Sequence, residues 1–212
     1  MARAARVLLV RHGETNENVL GIIQGQKDTL LNAKGLEQAE MTGVALQKEH
    51  ITRIVCSPLQ RALHTARAIS KHHPNVPLVI DPRLMERHFG VLEGVQYNGP
   101  REKPENTEGI ESSASVTKRL AHFWDDLRRE MGPNGSGTIL LVSHGAALSS
   151  LVNTVMLANG HATCSETTKP SRFWNCSISE VDMSTFPAQI VRWADVSHLS
   201  DAPQSLNVDE AV

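Results

Sequence analysis

An α/β sandwich on a largely parallel sheet is the fold class this sequence predicts, and two observations carry the expectation. Four short apolar runs, Val7 to Val10, Ile54 to Cys56, Leu78 to Ile80 and Ile139 to Val142, read as buried strands. Stretches with helical spacing separate them, and such alternation is the signature of strands joined by crossover helices.

The elements follow in order. After the first strand, a helix is expected from Asn32 through Lys48, with Asn32 as its cap and Leu36, Ala39, Val44 and Ala45 among its buried residues. Gly35 and Gly43 blur its ends. The clearest helix follows Ser57-Pro58. Serine suits an N-cap, proline suits the first turn, and Leu59, Ala62, Leu63, Ala66 and Ile69 then form one apolar stripe. Gly94 to Ser115 is rich in Gly, Pro, Glu and Asn and reads as an insertion. Helix resumes near Val116, runs through Leu120, Phe123 and Leu127, and stops at the glycine-rich turn Gly132 to Gly137. A helix beginning just after His144-Gly145 carries Leu148, Leu151, Val152 and Val155 inward. Ser177 to Val181 and Gln189 to Trp193 are late strands, and the chain turns polar after Ser197. The expectation is one domain over residues 1–197, with an insertion at about 94–115 and a polar tail over 198–212.

Composition narrows the function classes. The 212 residues suit a single domain, and 40% hydrophobic with 21% charged residues supports a core without disulfides. A formal charge of −2 removes the argument for nucleic-acid binding, which needs a concentrated basic face. Cys56, Cys164 and Cys176 are odd in number and widely spaced, as expected of reduced thiols. The matches to the glycosylation tripeptide at Asn134 and Asn175 carry little weight without a secretory signal, and the first ten residues hold too short an apolar run for one. No window approaches the roughly 20 apolar residues of a membrane span. A soluble cytoplasmic protein, with neither membrane nor nucleic-acid partners, is the expectation; its oligomeric state is open.

Three strands end alike. Val10 leads into Arg11-His12-Gly13, Cys56 into Ser57-Pro58 with Arg61 a turn further on, and Val142 into Ser143-His144-Gly145. The carboxyl ends of strands line the ligand crevice of an open α/β sheet, so two histidines, two arginines and several helix N-termini converge there. Guanidinium forks and backbone N–H groups match phosphate oxygens. A neutral imidazole in such a pocket is also a competent nucleophile toward phosphorus, with the flanking cations offsetting transition-state charge. The displaced alkoxide needs an acid, and Glu86, just after a strand and loop, is placed to supply one if a bound dianion keeps it protonated.

These blocks together carry a family resemblance. Arg11-His12-Gly13-Glu14-Thr15 with Asn18, Gln24-Gly25, Ser57 to Ala62, Glu86 to Gly94 and Ser143-His144-Gly145 resemble the histidine phosphatase superfamily, also called phosphoglycerate mutase-like, over roughly Val7 to Val181. The resemblance implies a three-layer α/β/α sandwich. It implies that His12 is the phosphorylated nucleophile, that Arg11, Arg61 and His144 hold the phosphoryl group, and that Glu86 donates the proton. Asn18 then contacts the phosphoryl group or substrate, with Gln24 and Gly25 on the substrate side. Thr15, Ser57, Ser143 and Gly145 join them as substrate-binding candidates. No cofactor and no metal is implied, and no metal motif is present.

Other residues have plainer readings. Ser57 is a helix cap first and a pocket residue second; Arg87 and Glu93 are candidates for structural ion pairs; His72-His73 marks an exposed helix end; Arg128-Arg129 is a solvated face. His50, His64, His122, His161 and His198 have no metal-ligand spacing.

Within the superfamily, mutases keep the phosphoryl group and phosphatases yield it to water. Here no Lys or Arg follows Arg192, the tail carries Asp201, Asp209 and Glu210, and the insertion offers Arg101 and Lys103, with Lys118 beyond it, but no adjacent arginine pair. Glu93 stands where mutases tend to have Gln, and Gly109-Ile110-Glu111-Ser112 departs from the usual Gly-Glu-Ser/Thr block. The sequence therefore resembles the phosphatase branch, the small sugar-phosphate phosphatases and fructose-2,6-bisphosphatase-like regulators. The expected substrate is a small phosphorylated metabolite and the product inorganic phosphate. A cofactor-dependent phosphoglycerate mutase, a protein phosphatase and a non-catalytic phospholigand-binding domain are the alternatives.

Overall fold

The computed structural model describes residues 5–97, 109–132 and 136–199. In chain order the elements are β1 (Arg6–Arg11), α1 (Asn16–Leu20), α2 (Ala33–Leu46), β2 (Ile51–Cys56), α3 (Gln60–Ser70), β3 (Leu78–Ile80), α4 (Ser113–Met131), β4 (Thr138–Ser143), α5 (Gly145–Ser150), β5 (Ala162–Cys164), β6 (Ile178–Asp182) and β7 (Ala188–Asp195). α5 runs on into wider π-type turns over Leu151–Leu157. The strands form one seven-stranded sheet in the order β3-β2-β4-β1-β6-β7-β5. Its pairings are parallel except where β6 runs against β1 and β7.

Alternation along the strands builds two cores. Val7 and Leu9 of β1, with Ile139 and Leu141 of β4, face α4 and the helix after His144 through Leu120, Phe123, Trp124, Leu148 and Val152. Leu8 and Val10, with Leu140 and Val142, face α2 and α3 through Leu46, Ala62, Ala66 and Ile69. A strand with both faces covered must be apolar throughout, which is why VLLV and ILLV read as runs without alternation. The architecture is the expected three-layer α/β/α sandwich.

Several sequence expectations need correction. α2 buries Gly35, Gln38, Ala39, Thr42, Gly43 and Leu46, and leaves Leu36, Val44 and Ala45 exposed. Close approach decides its orientation: a Cβ on Gly35 would strike the Glu14 backbone, and one on Gly43 would strike His72 and the Ala68 carbonyl. β3 is an edge strand with Val79 and Ile80 exposed, not a buried one. α3 starts at Gln60 with Leu59 in the cap position and no side-chain cap, so Ser57 does not cap it.

α4 begins at Ser113, capped by the Ser112 hydroxyl, so the end of the supposed insertion is already helical. Residues 98–108 of that insertion lie outside the described residues, as do Asn134 in the glycine-rich turn and residues 200–212 of the tail. His73 is buried and His72 bonds Glu40 at 3.0 Å, so the pair is not an exposed helix end. Arg128 lies over the Phe186 ring at 5.2 Å, so that half of the arginine pair is not merely solvated. The polar tail starts later than expected, because His198 bonds Thr42 at 3.0 Å and Leu199 packs beside Leu31, Ala39, Ala68 and Cys176. α1, β5 and the short 3-10 turns at Pro82–Leu84, Gly90–Leu92 and Glu166–Thr168 were too short to carry a periodic signal.

Candidate active site

Strand register assembles the site. Arg11 of β1 pairs with Ser143 of β4, and Cys56 of β2 with Val142. The ladder extends one residue further: the His12 N–H donates to the Ser143 carbonyl and the Ser57 N–H to the Val142 carbonyl, each at 3.0 Å. His12, Ser57 and His144 therefore leave the sheet at one level. The two imidazole centroids lie 5.2 Å apart.

His12 is buried, and its Nδ1 lies 2.7 Å from the Gly13 carbonyl oxygen. A carbonyl only accepts, so Nδ1 carries the hydrogen and Nε2 keeps its lone pair. Burial, then the guanidinium groups of Arg61 and Arg11, hold the His12 pKa well below the usual imidazole range. The ring is neutral at ordinary pH, with its lone pair on Nε2. Gly13 permits this turn because its backbone presses on that of Gly35, where a side chain would collide. The Gly13 N–H is held by Thr65 Oγ1 at 3.0 Å.

Both arginines are fully buried. Arg61 donates from Nη1 to the Lys27 carbonyl at 2.8 Å and from Nη2 to the Gly25 carbonyl at 2.7 Å. Arg11 donates from Nη1 to the Phe173 carbonyl at 2.9 Å. Backbone carbonyls thus fix the direction of each guanidinium, and two such cations beside one another suit a multiply charged anion.

Glu86 brings a carboxyl group to the cluster and is also fully buried. Its Oε1 accepts the Arg87 N–H at 2.9 Å, and its Oε2 accepts the Ala146 N–H, in the first turn of α5, at 3.0 Å. His144, at the cap position of α5, places Nε2 2.8 Å from Ser57 Oγ. Burial first, then Arg61, His12 and Arg11, lower the His144 pKa well below the usual range, so this ring is neutral as well.

The remaining candidates sit around this cluster. Thr15 caps α1, and its hydroxyl meets Asn18 Oδ1 at 3.2 Å and Gln24 Oε1 at 3.0 Å. Asn18 Nδ2 is buried with no partner among the described residues. Gly25 adopts a positive φ of 52° with its backbone against Glu93, whose Oε1 accepts the N–H groups of Gln26 at 2.8 Å and Phe89 at 3.0 Å. Glu93 is therefore chiefly a backbone anchor, with His88 Nε2 3.9 Å from the same Oε1 as its ionic neighbour, while Arg87 Nε donates to the Glu111 carbonyl at 2.8 Å. Gly145 opens α5. Ser143 stands apart, because its hydroxyl donates to the Leu84 carbonyl at 2.7 Å beneath the site.

Sequence reasoning missed Asn175, whose Nδ2 donates to the His12 carbonyl at 3.0 Å and lies 3.3 Å from Asn18 Oδ1. It lies in an irregular segment before β6, where no local pattern marks it. Among the described residues no group of three or more His, Cys, Asp or Glu could hold a metal ion, and no helix is long and apolar enough to cross a membrane. An open cleft of about 720 Å³, lined in part by Arg128, His161 and Phe186, shares no residue with this cluster.

The family model described as "Histidine phosphatase superfamily (branch 1)" matches residues 7–196. A relative from Serratia proteamaculans named "Probable phosphoglycerate mutase GpmB" is 34% identical, over 93% of this chain and 96% of its own. Among solved structures, YhfR of Bacillus stearothermophilus superposes with a TM-score of 0.76 at 25% identity, over 92% of this chain and 99% of that one. The mycobacterial glucosyl-3-phosphoglycerate phosphatase superposes with a TM-score of 0.72 at 25% identity, over 91% and 99%. With a family model spanning nearly all of its described length and the strand-end cluster in place, the chain belongs to branch 1 of the histidine phosphatase superfamily.

Proposed function

We propose that this protein hydrolyses small phosphomonoesters, sugar phosphates among them, through a phosphohistidine on His12. The observation that carries the reading is the neutral His12 ring, with Nδ1 committed to Gly13, beside two buried guanidiniums and the buried carboxyl of Glu86. In the first step Nε2 attacks phosphorus, the bond to the ester oxygen breaks, and Glu86 gives its proton to the departing alkoxide. In the second, the Glu86 carboxylate takes a proton from water, the oxygen attacks phosphorus, and the bond to Nε2 breaks. Inorganic phosphate leaves and both groups regain their starting states. Arg11 and Arg61 offset the charge on the equatorial oxygens in both steps. Asn18, through its buried Nδ2, and His144 contact the phosphoryl group.

A second reading is phosphoglycerate mutation, favoured by the names of relatives 34% and 36% identical to this chain. The chemistry of the first step is then the same, and a second substrate hydroxyl replaces water in the next. Arg101 and Lys103, the cations a mutase could use over a bisphosphate, lie outside the described residues. Parallel assays divide the readings. Phosphate release from a metabolite panel in the presence of chelator, exceeding interconversion of 3- and 2-phosphoglycerate with a bisphosphoglycerate primer, supports hydrolysis; the reverse ranking assigns a mutase. Turnover in neither assay leaves a phospholigand-binding domain, and preferential release from phosphopeptides points to a protein phosphatase.

A further inference from the structure

We propose that Arg119, on α4, is a positioning residue for the proton donor, working together with Glu111. The proposal rests on the phosphohistidine reading above and deepens it by naming what holds Glu86 in place.

Glu86 stands on a segment with little regular structure between the 3-10 turn Pro82–Leu84 and the next turn at Gly90. Its main chain is held instead by side chains. Arg119 Nη1 donates to the Arg83 carbonyl at 2.7 Å and the Met85 carbonyl at 2.8 Å, and Nη2 donates to the Glu86 carbonyl at 3.2 Å. The Leu84 carbonyl between them goes to Ser143. Gln26 Nε2 adds a bond to the Glu86 carbonyl at 2.9 Å. Four consecutive carbonyls therefore accept from side chains of β4, α4 and the loop after α1.

Glu111 closes the other side of the clamp. Arg119 donates from Nε to Oε1 at 2.8 Å and from Nη2 to Oε2 at 3.1 Å, a fork-to-fork pair. The same Oε2 accepts the His88 N–H at 3.2 Å, and the Glu111 carbonyl accepts Arg87 Nε. Arg119 thus grips residues 83–86 while Glu111 grips 87–88, with the proton donor between the two. The side chains are 18% and 14% exposed, so the pair is largely shielded from competing water.

The hydrogen count separates positioning from contact. A guanidinium has five N–H groups. All five of those on Arg119 are accounted for by the carbonyls of Arg83, Met85 and Glu86 and the two oxygens of Glu111. None is left for a substrate. Lysine, with three donors at one point, cannot bridge three carbonyls and a carboxylate.

A leaving-group series tests this. Phosphoenzyme formation is measured in single turnover from alkyl phosphates, which need the acid, and from an activated aryl phosphate, which does not. Arg119→Met and Arg119→Lys are expected to lose on the order of 10²-fold on alkyl phosphates, as a donor displaced by about an ångström would, and to change little on the aryl substrate. Adding Arg119→Met to Glu86→Gln should then slow the reaction no further. Equal loss on both substrates, or a double variant in which the two losses multiply, overturns the proposal. Should Arg119→Met fail to fold, Glu111→Gln is expected to show the same selective loss on alkyl phosphates, and its absence overturns the proposal equally. A wild type that forms no phosphohistidine defeats the phosphatase reading itself; a wild type that forms it while the variants lack the leaving-group signature defeats only the role of Arg119.

Discussion

The Nδ1 of His12 lies 2.7 Å from the carbonyl oxygen of Gly13, and this contact decides which ring nitrogen is free to react. With Nδ1 protonated, only Nε2 presents a lone pair. Phosphorus-proton NMR of the trapped phosphoenzyme should therefore find the phosphoryl group on Nε2. Phosphorylation at Nδ1 would show that the Gly13 contact does not set the tautomer.

Neutral His12 and His144 link folding to pH. Both native pKa values lie below that of an unfolded histidine, near 6.5, so the unfolded chain binds more protons as pH falls past that value. Their contribution to stability is full above about pH 6.5 and declines as pH drops toward the native pKa values. Denaturant unfolding of wild type should weaken over this range, and His144→Asn should flatten the slope. An unchanged slope in that variant would mean that His144 is not buried in neutral form.

Glu86→Gln keeps the side-chain shape but removes the proton. It should slow phosphoenzyme formation from alkyl phosphates by roughly 10²–10⁴-fold and spare activated aryl phosphates. Uniform loss across leaving groups would take Glu86 out of the acid role.

Ser57→Ala tests the bond between Ser57 Oγ and His144 Nε2. Loss of one buried hydrogen bond is about 1 kcal/mol, or roughly fivefold, and it should appear in turnover because His144 is no longer aimed. An effect on stability alone, with normal kinetics, would return Ser57 to a structural role.

Gly35→Ala probes a site remote from substrate. The added methyl would collide with the Glu14 backbone, and overpacking of this kind costs about 1–3 kcal/mol. Because Gly13 also presses on Gly35, activity should fall along with the melting temperature. Full activity in a destabilised variant would uncouple α2 from the turn that carries His12.

Much of this was legible in the sequence, for a physical reason. Strands buried on both faces write themselves as unbroken apolar runs, so VLLV and ILLV located β1 and β4, and the polar residues after them located the site. α3 was equally plain, since Leu59, Ala62, Leu63, Ala66 and Ile69 are all buried. α2 misled because hydrophobicity does not report close approach: the inward face is mostly small or polar, Gly35, Gln38, Ala39, Thr42 and Gly43 with Leu46 at its end, while Leu36 and Val44 point outward. Ser57 misled because capping is a local rule and its bonded partner, His144, follows a strand distant in sequence, β4. Asn175 and Arg119 left no signal for the same reason, as their partners are backbone carbonyls far along the chain.

The central claim is a covalent phosphoryl group on His12. Acid-quenched enzyme from a reaction with an activated aryl phosphate, digested and read by mass spectrometry under conditions that preserve phosphoramidates, tests it directly. The account expects one phosphate on the peptide containing His12 in wild type, accumulation of that adduct in Glu86→Gln, and none in His12→Ala. Substrate turnover with no adduct on His12, or turnover that survives His12→Ala, would contradict it.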